Sequence, residues 1–144
     1  MHKNIRIKPL SVNIAYRGKK YVTQAHKDYK KLILLSLPNE KLKIAPPFKM
    51  NYNFGFSTTK ADLDNPVKVL QDIICEKYGF DDRHIWEINI KKHIVPKGKE
   101  YIEFEIVEIN KPRLKARKNV QMLGTDEIRK NMNENSRYKL RPLP

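Results

Sequence analysis

Four polar residues in the middle of the chain have the types and the spacing that phosphodiester hydrolysis needs. Asp62, Asp64 and Lys68 lie close together in sequence, and Asp82 belongs to a later pair of aspartates. Carboxylates that are brought together repel, so a hard divalent cation such as Mg²⁺ or Mn²⁺ is their natural partner. Such a cation polarises a phosphoryl oxygen and generates hydroxide for in-line attack. A lysine beside it neutralises the charge that develops on the phosphate.

The same segment also has an explanation that involves no chemistry. Acids that precede a helix stabilise its dipole, and the pair Asp81-Asp82 is ordinary turn material. Lys68 and Asp72 are four residues apart, the spacing of a surface ion pair on a helix. The spacing alone therefore leaves both interpretations open. If a site exists here, Asp72 and Asp81 are possible additional acids of it.

The overall charge favours a polyanionic partner. The 144 residues include 30 Lys and Arg against 16 Asp and Glu, a formal net charge of +14. This excess disfavours a generic small-molecule enzyme and favours nucleic acid, with an anionic membrane surface as the second possibility. No apolar stretch is long enough to span a membrane, and the N-terminus has no apolar signal-peptide core. With a single cysteine, these features predict a cytoplasmic protein without a membrane partner.

The positive charge is concentrated in the last quarter of the chain. Residues 111–144 contain ten Lys and Arg against three acids and show little apolar periodicity. We therefore expect a folded domain over 1–110 and a basic C-terminal extension over 111–144, with a short helix over 126–133. An arm that grips phosphate is one role for the extension, and a solubilising or partner-binding segment is another.

The periodicity within 1–110 predicts two main helices and several strands. One helix follows Thr23 as N-cap, and a second begins at Asn65 as N-cap and ends at Gly79. A strand over 48–57 alternates strictly between apolar and polar residues. Strands near 86–90 and 102–106 are separated by a turn over 96–99 and are expected to form a hairpin, with Trp86 in the core. Short strands are expected near 5–8 and 20–22.

These elements predict an α+β fold. Their order indicates a mixed, mostly antiparallel sheet with the two main helices packed on it.

Two motifs resemble the RusA family of Holliday-junction resolvases. The acidic motif reads Asp62-Leu63-Asp64-Asn65-x-x-Lys68-x-x-x-Asp72, followed by Gly79-Phe80-Asp81-Asp82. The opening Pro9-Leu10-Ser11-Val12-Asn13-Ile14-Ala15-Tyr16-Arg17 is similar to the family's P-P-S-x-N-x-x-Y-R start. The resemblance covers about residues 9–109. Leu10 departs from the second proline of that start, and Ala61 departs from a basic residue that often precedes the first aspartate.

The resemblance implies a RusA-like fold and a small homodimeric endodeoxyribonuclease. Such an enzyme needs Mg²⁺ or Mn²⁺, uses no small-molecule cofactor and cuts a four-way DNA junction with paired symmetric nicks. The implied metal ligands are Asp62, Asp64 and Asp82, and the implied catalytic lysine is Lys68. The associated processes are DNA recombination and repair, and small resolvases of this type are often prophage-borne.

Basic and polar residues near the two motifs are candidates for DNA contact. They are Asn13, Tyr16, Arg17, Lys19, Lys20 and Lys60. The alternative function is a non-catalytic, basic nucleic-acid-binding protein, either ribosome-associated or nucleoid-associated. Such a protein would bind with a steep salt dependence, without a metal requirement and without preference for junctions.

Overall fold

The computed structural model describes residues 1–18 and 21–110. The basic extension over 111–144, the helix expected over 126–133, and the candidate DNA contacts Lys19 and Lys20 lie outside the described residues.

The described chain contains three α-helices, one short 3₁₀ turn and six strands. The helices are α1 (Val12–Ala15), α2 (Gln24–Ser36) and α3 (Asn65–Tyr78), and the 3₁₀ turn spans Asp82–His84. The strands are β1 (His2–Ile5), β2 (Tyr16–Arg17), β3 (Tyr21–Val22), β4 (Phe48–Phe56), β5 (Ile85–Ile94) and β6 (Tyr101–Glu108). The first short strand therefore lies a few residues earlier than the 5–8 that the sequence indicated.

The main sheet is mixed and mostly antiparallel, as the sequence predicts. Its strand order is β1-β6-β4-β5, while β2 and β3 form a separate two-stranded ribbon. β4 pairs parallel with β5 and antiparallel with β6. The expected hairpin of the last two strands is therefore wrong, because β4 lies between them. The segment after β5 crosses the end of β4, where the Val95 amide donates to the Phe56 carbonyl at 2.8 Å.

Local signals explain the two long helices. The Thr23 side chain accepts a hydrogen bond from the His26 amide and caps α2, as predicted. Gly79 ends α3 in a left-handed conformation with φ of 69°. The N-cap of α3 is Asp64 and not Asn65, which corrects the prediction by one residue. The Asp64 carbonyl already accepts from the Val67 amide, so Asn65 lies inside the helix.

The core lies between the helices and one face of the sheet. The alternating apolar residues of β4 and β6 point into it, together with the inner residues of α2 and α3. Alternate residues of β4 and β6 face the other side of the sheet and form polar pairs such as Asn51 with Glu105 and Asn53 with Glu103. This division of the sheet into an apolar and a polar face follows from the two-residue side-chain period of a strand.

The strand β5 is more exposed than the sequence predicts. Trp86, which we expected in the core, is 62% exposed, and Ile88 and Ile94 are also exposed. The physical reason is the position of β5 at the edge of the sheet. The apolar alternation of this strand therefore marks a surface and not only a core face.

No helix within residues 1–18 and 21–110 combines the length and the apolar character needed to cross a membrane.

Candidate functional site

The candidate acids are distributed along the crossover from β4 through α3 to β5. Asp62 lies in the turn after β4, and Asp64 is the N-cap of α3. Lys68 and Asp72 follow at intervals of four residues, which places them on one side of that helix. Asp82 begins the 3₁₀ turn that precedes β5. One helix thus positions most of the candidate set.

Lys68, Asp72 and Asp82 form a connected cluster. The Lys68 Nζ donates to Asp72 Oδ1 at 2.6 Å and to Asp82 Oδ2 at 3.2 Å. The hydrogen bond with Asp72 is the largest influence on the lysine and raises the pKa of Lys68, with a further contribution from Asp82. The ammonium therefore stays protonated around neutral pH and carries a fixed positive charge between two carboxylates.

Asp81 has a different role from its neighbour. Its Oδ1 accepts a hydrogen bond from the Arg83 amide at 3.0 Å and caps the 3₁₀ turn. This hydrogen bond is the main reason why the pKa of Asp81 is lowered. Of the two consecutive aspartates, Asp82 is the one whose side chain accepts a hydrogen bond from Lys68.

Asp62 contacts the first turn of α3 and not the cluster around Lys68. Its Oδ2 accepts a hydrogen bond from Asn65 Nδ2 at 3.1 Å. Asp64 caps the helix through its backbone, and among the described residues its side chain makes no cap hydrogen bond. The two carboxylates of the Asp-x-Asp motif are therefore held at the start of α3, while Asp82 reaches Lys68 from the 3₁₀ turn that follows the helix.

The donor chemistry of these residues suits a hard divalent cation, because they supply carboxylate oxygens and several are solvent-accessible. Asp72 and Asp82 already share one cationic partner, the Lys68 ammonium. Within residues 1–18 and 21–110, however, no group of three or more His, Cys, Asp or Glu side chains is arranged to hold a metal ion. The structure thus brings Asp82 to Lys68 but does not gather Asp62, Asp64 and Asp82 into one ligand set.

The two sequence motifs, although about fifty residues apart, meet at one cavity of about 260 Å³. Pro9 and Ser11 of the opening motif line it. Asp62 and Asn65 of the acidic motif line it as well, together with Lys60. The acid that begins the Asp-x-Asp motif therefore borders a partly enclosed space with a lysine beside it.

The candidate DNA contacts divide into exposed and packed residues. Asn13 and Arg17 are exposed and line a second hollow beside the cavity, and Ile14 borders both. Tyr16 is half-buried, with its ring centroid 5.3 Å from that of His26. Arg17, Asn13 and Lys60 thus lie around adjoining hollows, whereas Tyr16 contributes to packing.

One residue near the site was not assigned to it from the sequence. Lys92 on β5 donates from Nζ to the Thr59 carbonyl at 2.8 Å and also to the Ala61 carbonyl. It therefore ties the edge strand to the turn that leads into Asp62. No local pattern in the sequence indicates this contact, because it depends on the parallel register that pairs Lys92 with Phe54.

In comparisons with known proteins, the chain matches no protein-family model and no curated protein. The structure and the residue patterns therefore carry the functional argument.

Proposed function

We propose that the chain is a metal-dependent endodeoxyribonuclease that resolves four-way DNA junctions by paired symmetric nicks. The observation that carries the proposal is the meeting of the two motifs at one cavity bordered by Asp62, with Lys68 on the adjoining helix bonded to Asp82. A basic chain with a local acidic cluster suits this function. The positive charge attracts DNA and the acids serve the chemistry.

Each residue of the site has a distinct proposed role. Lys68 presents a protonated ammonium that neutralises charge developing on the phosphate that is attacked. Asp62, Asp64 and Asp82 are the proposed ligands of Mg²⁺ or Mn²⁺, and binding of the ion would have to bring these carboxylates together, since the described residues do not gather them into one ligand set. When bound, that ion would polarise a phosphoryl oxygen and lower the pKa of a bound water. Asp72 orients Lys68 through the 2.6 Å hydrogen bond.

Residues on the adjoining surface would hold the DNA. Lys60 and Arg17 are proposed to bind backbone phosphates on either side of the scissile position, and Asn13 lines the same hollow as Arg17. Contacts of this kind set register and orientation on the DNA.

A second copy of the chain is the proposed partner besides DNA, because two symmetric nicks need two sites related by a two-fold axis. The edge of β5 is the surface that we propose joins the copies. Within the main sheet β5, like β1 at the opposite edge, has a neighbour on one side only, and the exposed residues of β5 include Trp86 and Ile88. Two such edges can pair across a two-fold axis and bury these apolar side chains.

A non-catalytic nucleic-acid-binding protein is the second candidate. The observation that favours it is that the described acids do not form a three-ligand metal group. In that case Lys68 and Asp82 would be an ordinary surface ion pair of little energetic value.

A cleavage assay on a labelled four-way junction separates the two candidates. The substrate would be incubated with Mg²⁺ or Mn²⁺, beside a linear duplex of the same sequence, a chelator control and the Asp64→Asn variant. The resolvase proposal expects symmetric nicks on the junction only, with metal and with Asp64. It also expects Asp64→Asn to bind the junction as tightly as the native chain or more tightly, because a negative charge is removed.

Tight binding without nicks on any branched substrate, in either metal, would overturn the proposal. It would leave the nucleic-acid-binding alternative. Binding that is lost in a correctly folded Asp64→Asn variant would also contradict the assigned role of this carboxylate.

A further inference from the structure

The cavity beside Asp62 has an apolar wall that the proposed chemistry does not use. Its apolar lining consists of Pro9, Phe56 and Pro66, which are buried and present only their edges, and of Ile14, which is 57% exposed. An apolar surface whose floor is held firmly by the core is suited to a flat ring, because that floor packs against the ring without losing side-chain freedom.

The polar groups of the cavity can hydrogen-bond to the edge of such a ring. They include the hydroxyls of Ser11, Ser57 and Thr58 and the carboxylate of Glu100. The Gly98 amide donates to Glu100 Oε2 at 2.8 Å. The pKa of Glu100 is lowered, chiefly by a hydrogen bond from Ser57, so this group remains an ionised acceptor.

The size and charge of the cavity restrict its occupant. Its lining carries two lysines, Lys8 and Lys60, and two carboxylates, Asp62 and Glu100, so it has no excess positive charge for a buried phosphate. Its volume of about 260 Å³ is just below the range of pockets for drug-sized ligands. A single neutral ring system with polar edges fits these limits better than an anion or a larger ligand.

We propose that this cavity holds one unpaired nucleobase of the strand that is cut. The base would lie against Ile14 and the exposed edges of Pro9 and Phe56, so that the adjoining phosphate is placed beside Asp62. Lys8 and Lys60 would then contact phosphates outside the cavity. A base at a branch point costs less to unstack than one within a duplex, which favours branched over linear DNA. This inference rests on the proposed function and names the part of the substrate that its site recognises.

The test is a thermodynamic cycle that combines two changes, the removal of one base from the DNA and the filling of the cavity in the protein, and measures their effects on binding. Ala61→Leu and Ser57→Leu each place a larger side chain at a different position of the cavity lining. Two variants are used so that the cavity can still be tested if one of them misfolds. Ser36→Leu, at the exposed end of α2, is the matched control. Binding would be measured by fluorescence anisotropy at fixed salt and without metal, after thermal melting has shown that each variant folds.

The DNA would be a four-way junction and a single-stranded oligonucleotide, each with one abasic position moved stepwise along the strand. In the native chain we expect one position near the branch point at which loss of the base weakens binding about tenfold. In Ala61→Leu and Ser57→Leu, removal of the same base should weaken binding by less than about twofold. In Ser36→Leu it should weaken binding as much as in the native chain.

The base-pocket proposal would be overturned if removal of the base weakened binding equally in the native chain and in the cavity-filling variants. It would also be overturned if no abasic position weakened binding by the native chain. The cycle measures binding and not cleavage, so its result stands whether or not the chain cuts DNA. Failure of the resolvase proposal would be recognised separately, as a lack of metal-dependent nicks and of preference for the junction.

Discussion

The Lys68 ammonium lies 3.2 Å from Oδ2 of Asp82 and so joins the first turn of α3 to the turn that begins β5. The contact spans fourteen residues of sequence and depends on the parallel pairing of β4 with β5. It places a fixed positive charge beside a carboxylate on an accessible surface.

Replacing Lys68 should reduce cleavage far more than binding. We expect Lys68→Met to lower kcat on a four-way junction by about 100-fold, because a preorganised charge that stabilises the transition state is lost. Junction affinity should change by less than about threefold, since one of many positive charges is removed. Single-turnover cleavage and anisotropy measure the two quantities. Equal losses of affinity and rate would show that Lys68 only binds DNA.

Asp72 should control the protonation of Lys68. Its hydrogen bond is the main reason why the pKa of Lys68 is raised, so Asp72→Asn should lower that pKa toward its usual value. The activity that depends on the ammonium should then decline at a lower pH than in the native protein. The control is Glu76→Gln, one turn later on α3, where the acid pairs with Lys30 at 2.6 Å. A pH–rate profile unchanged by Asp72→Asn would contradict this role.

The sequence predicts the elements of this fold better than their pairing. The helix N-cap at Thr23, the helix end at Gly79 and the alternating strand over 48–56 depend on neighbouring residues, and each is confirmed. The pairing of β5 is different, because a turn such as 96–99 is compatible with either a hairpin or a crossing over β4. The exposure of Trp86 follows from that pairing, since apolar alternation does not show whether a strand is central or at an edge.

The same distinction applies to the candidate site. The i,i+4 spacing predicts the Lys68–Asp72 contact, and the structure confirms it at 2.6 Å. Spacing within a motif does not reveal that Asp62 contacts Asn65 while Asp82 contacts Lys68, because Asp82 reaches the helix from the turn before β5. The Lys92 contact with the turn before Asp62 depends on strand register. Contacts between distant segments are therefore the part of the site that required the structure.

Lys92 should act as a positioning residue for the turn that carries Asp62. Lys92→Met removes both donated hydrogen bonds and should lower cleavage about tenfold, while Lys92→Arg should restore part of the activity. Amide hydrogen exchange over residues 59–61 should become faster in the methionine variant only. Lys91→Met, at the neighbouring position on the same strand, is the matched control. If Lys91→Met and Lys92→Met behaved alike, a general loss of positive charge would be the explanation.

The edge of β5 should hold the two copies together. The double variant Trp86→Lys with Ile88→Lys places charges on the proposed two-fold contact and should give a monomer at micromolar concentration. Light scattering after size-exclusion chromatography measures the mass. The control is Leu35→Lys, a still more exposed apolar position on α2, which should leave the mass unchanged. A native chain that is already monomeric would refute the proposed partner, and a dimeric double variant would place the interface elsewhere.

The acid stability of the fold should depend on Glu103. This carboxylate accepts a hydrogen bond from Asn53 Nδ2 at 2.7 Å and lies 2.8 Å from His2 Nε2. The hydrogen bond from Asn53 is the largest cause of its lowered pKa, followed by that from His2. A lowered pKa means that the ionised group stabilises the folded state. The contribution is complete above the usual value of 4.5 and is lost as the pH falls through the lowered value.

The variant Glu103→Gln should therefore melt a few degrees below the native protein at pH 7, and the difference should shrink as the pH is lowered below 4.5. Thermal melting followed by circular dichroism at several pH values measures the difference, with the exposed Glu40→Gln as control. A difference in melting temperature that stayed constant from pH 7 into the acid range would show that the variant acts through packing. The ionised carboxylate between strands β1, β4 and β6 would then contribute nothing to the pH dependence.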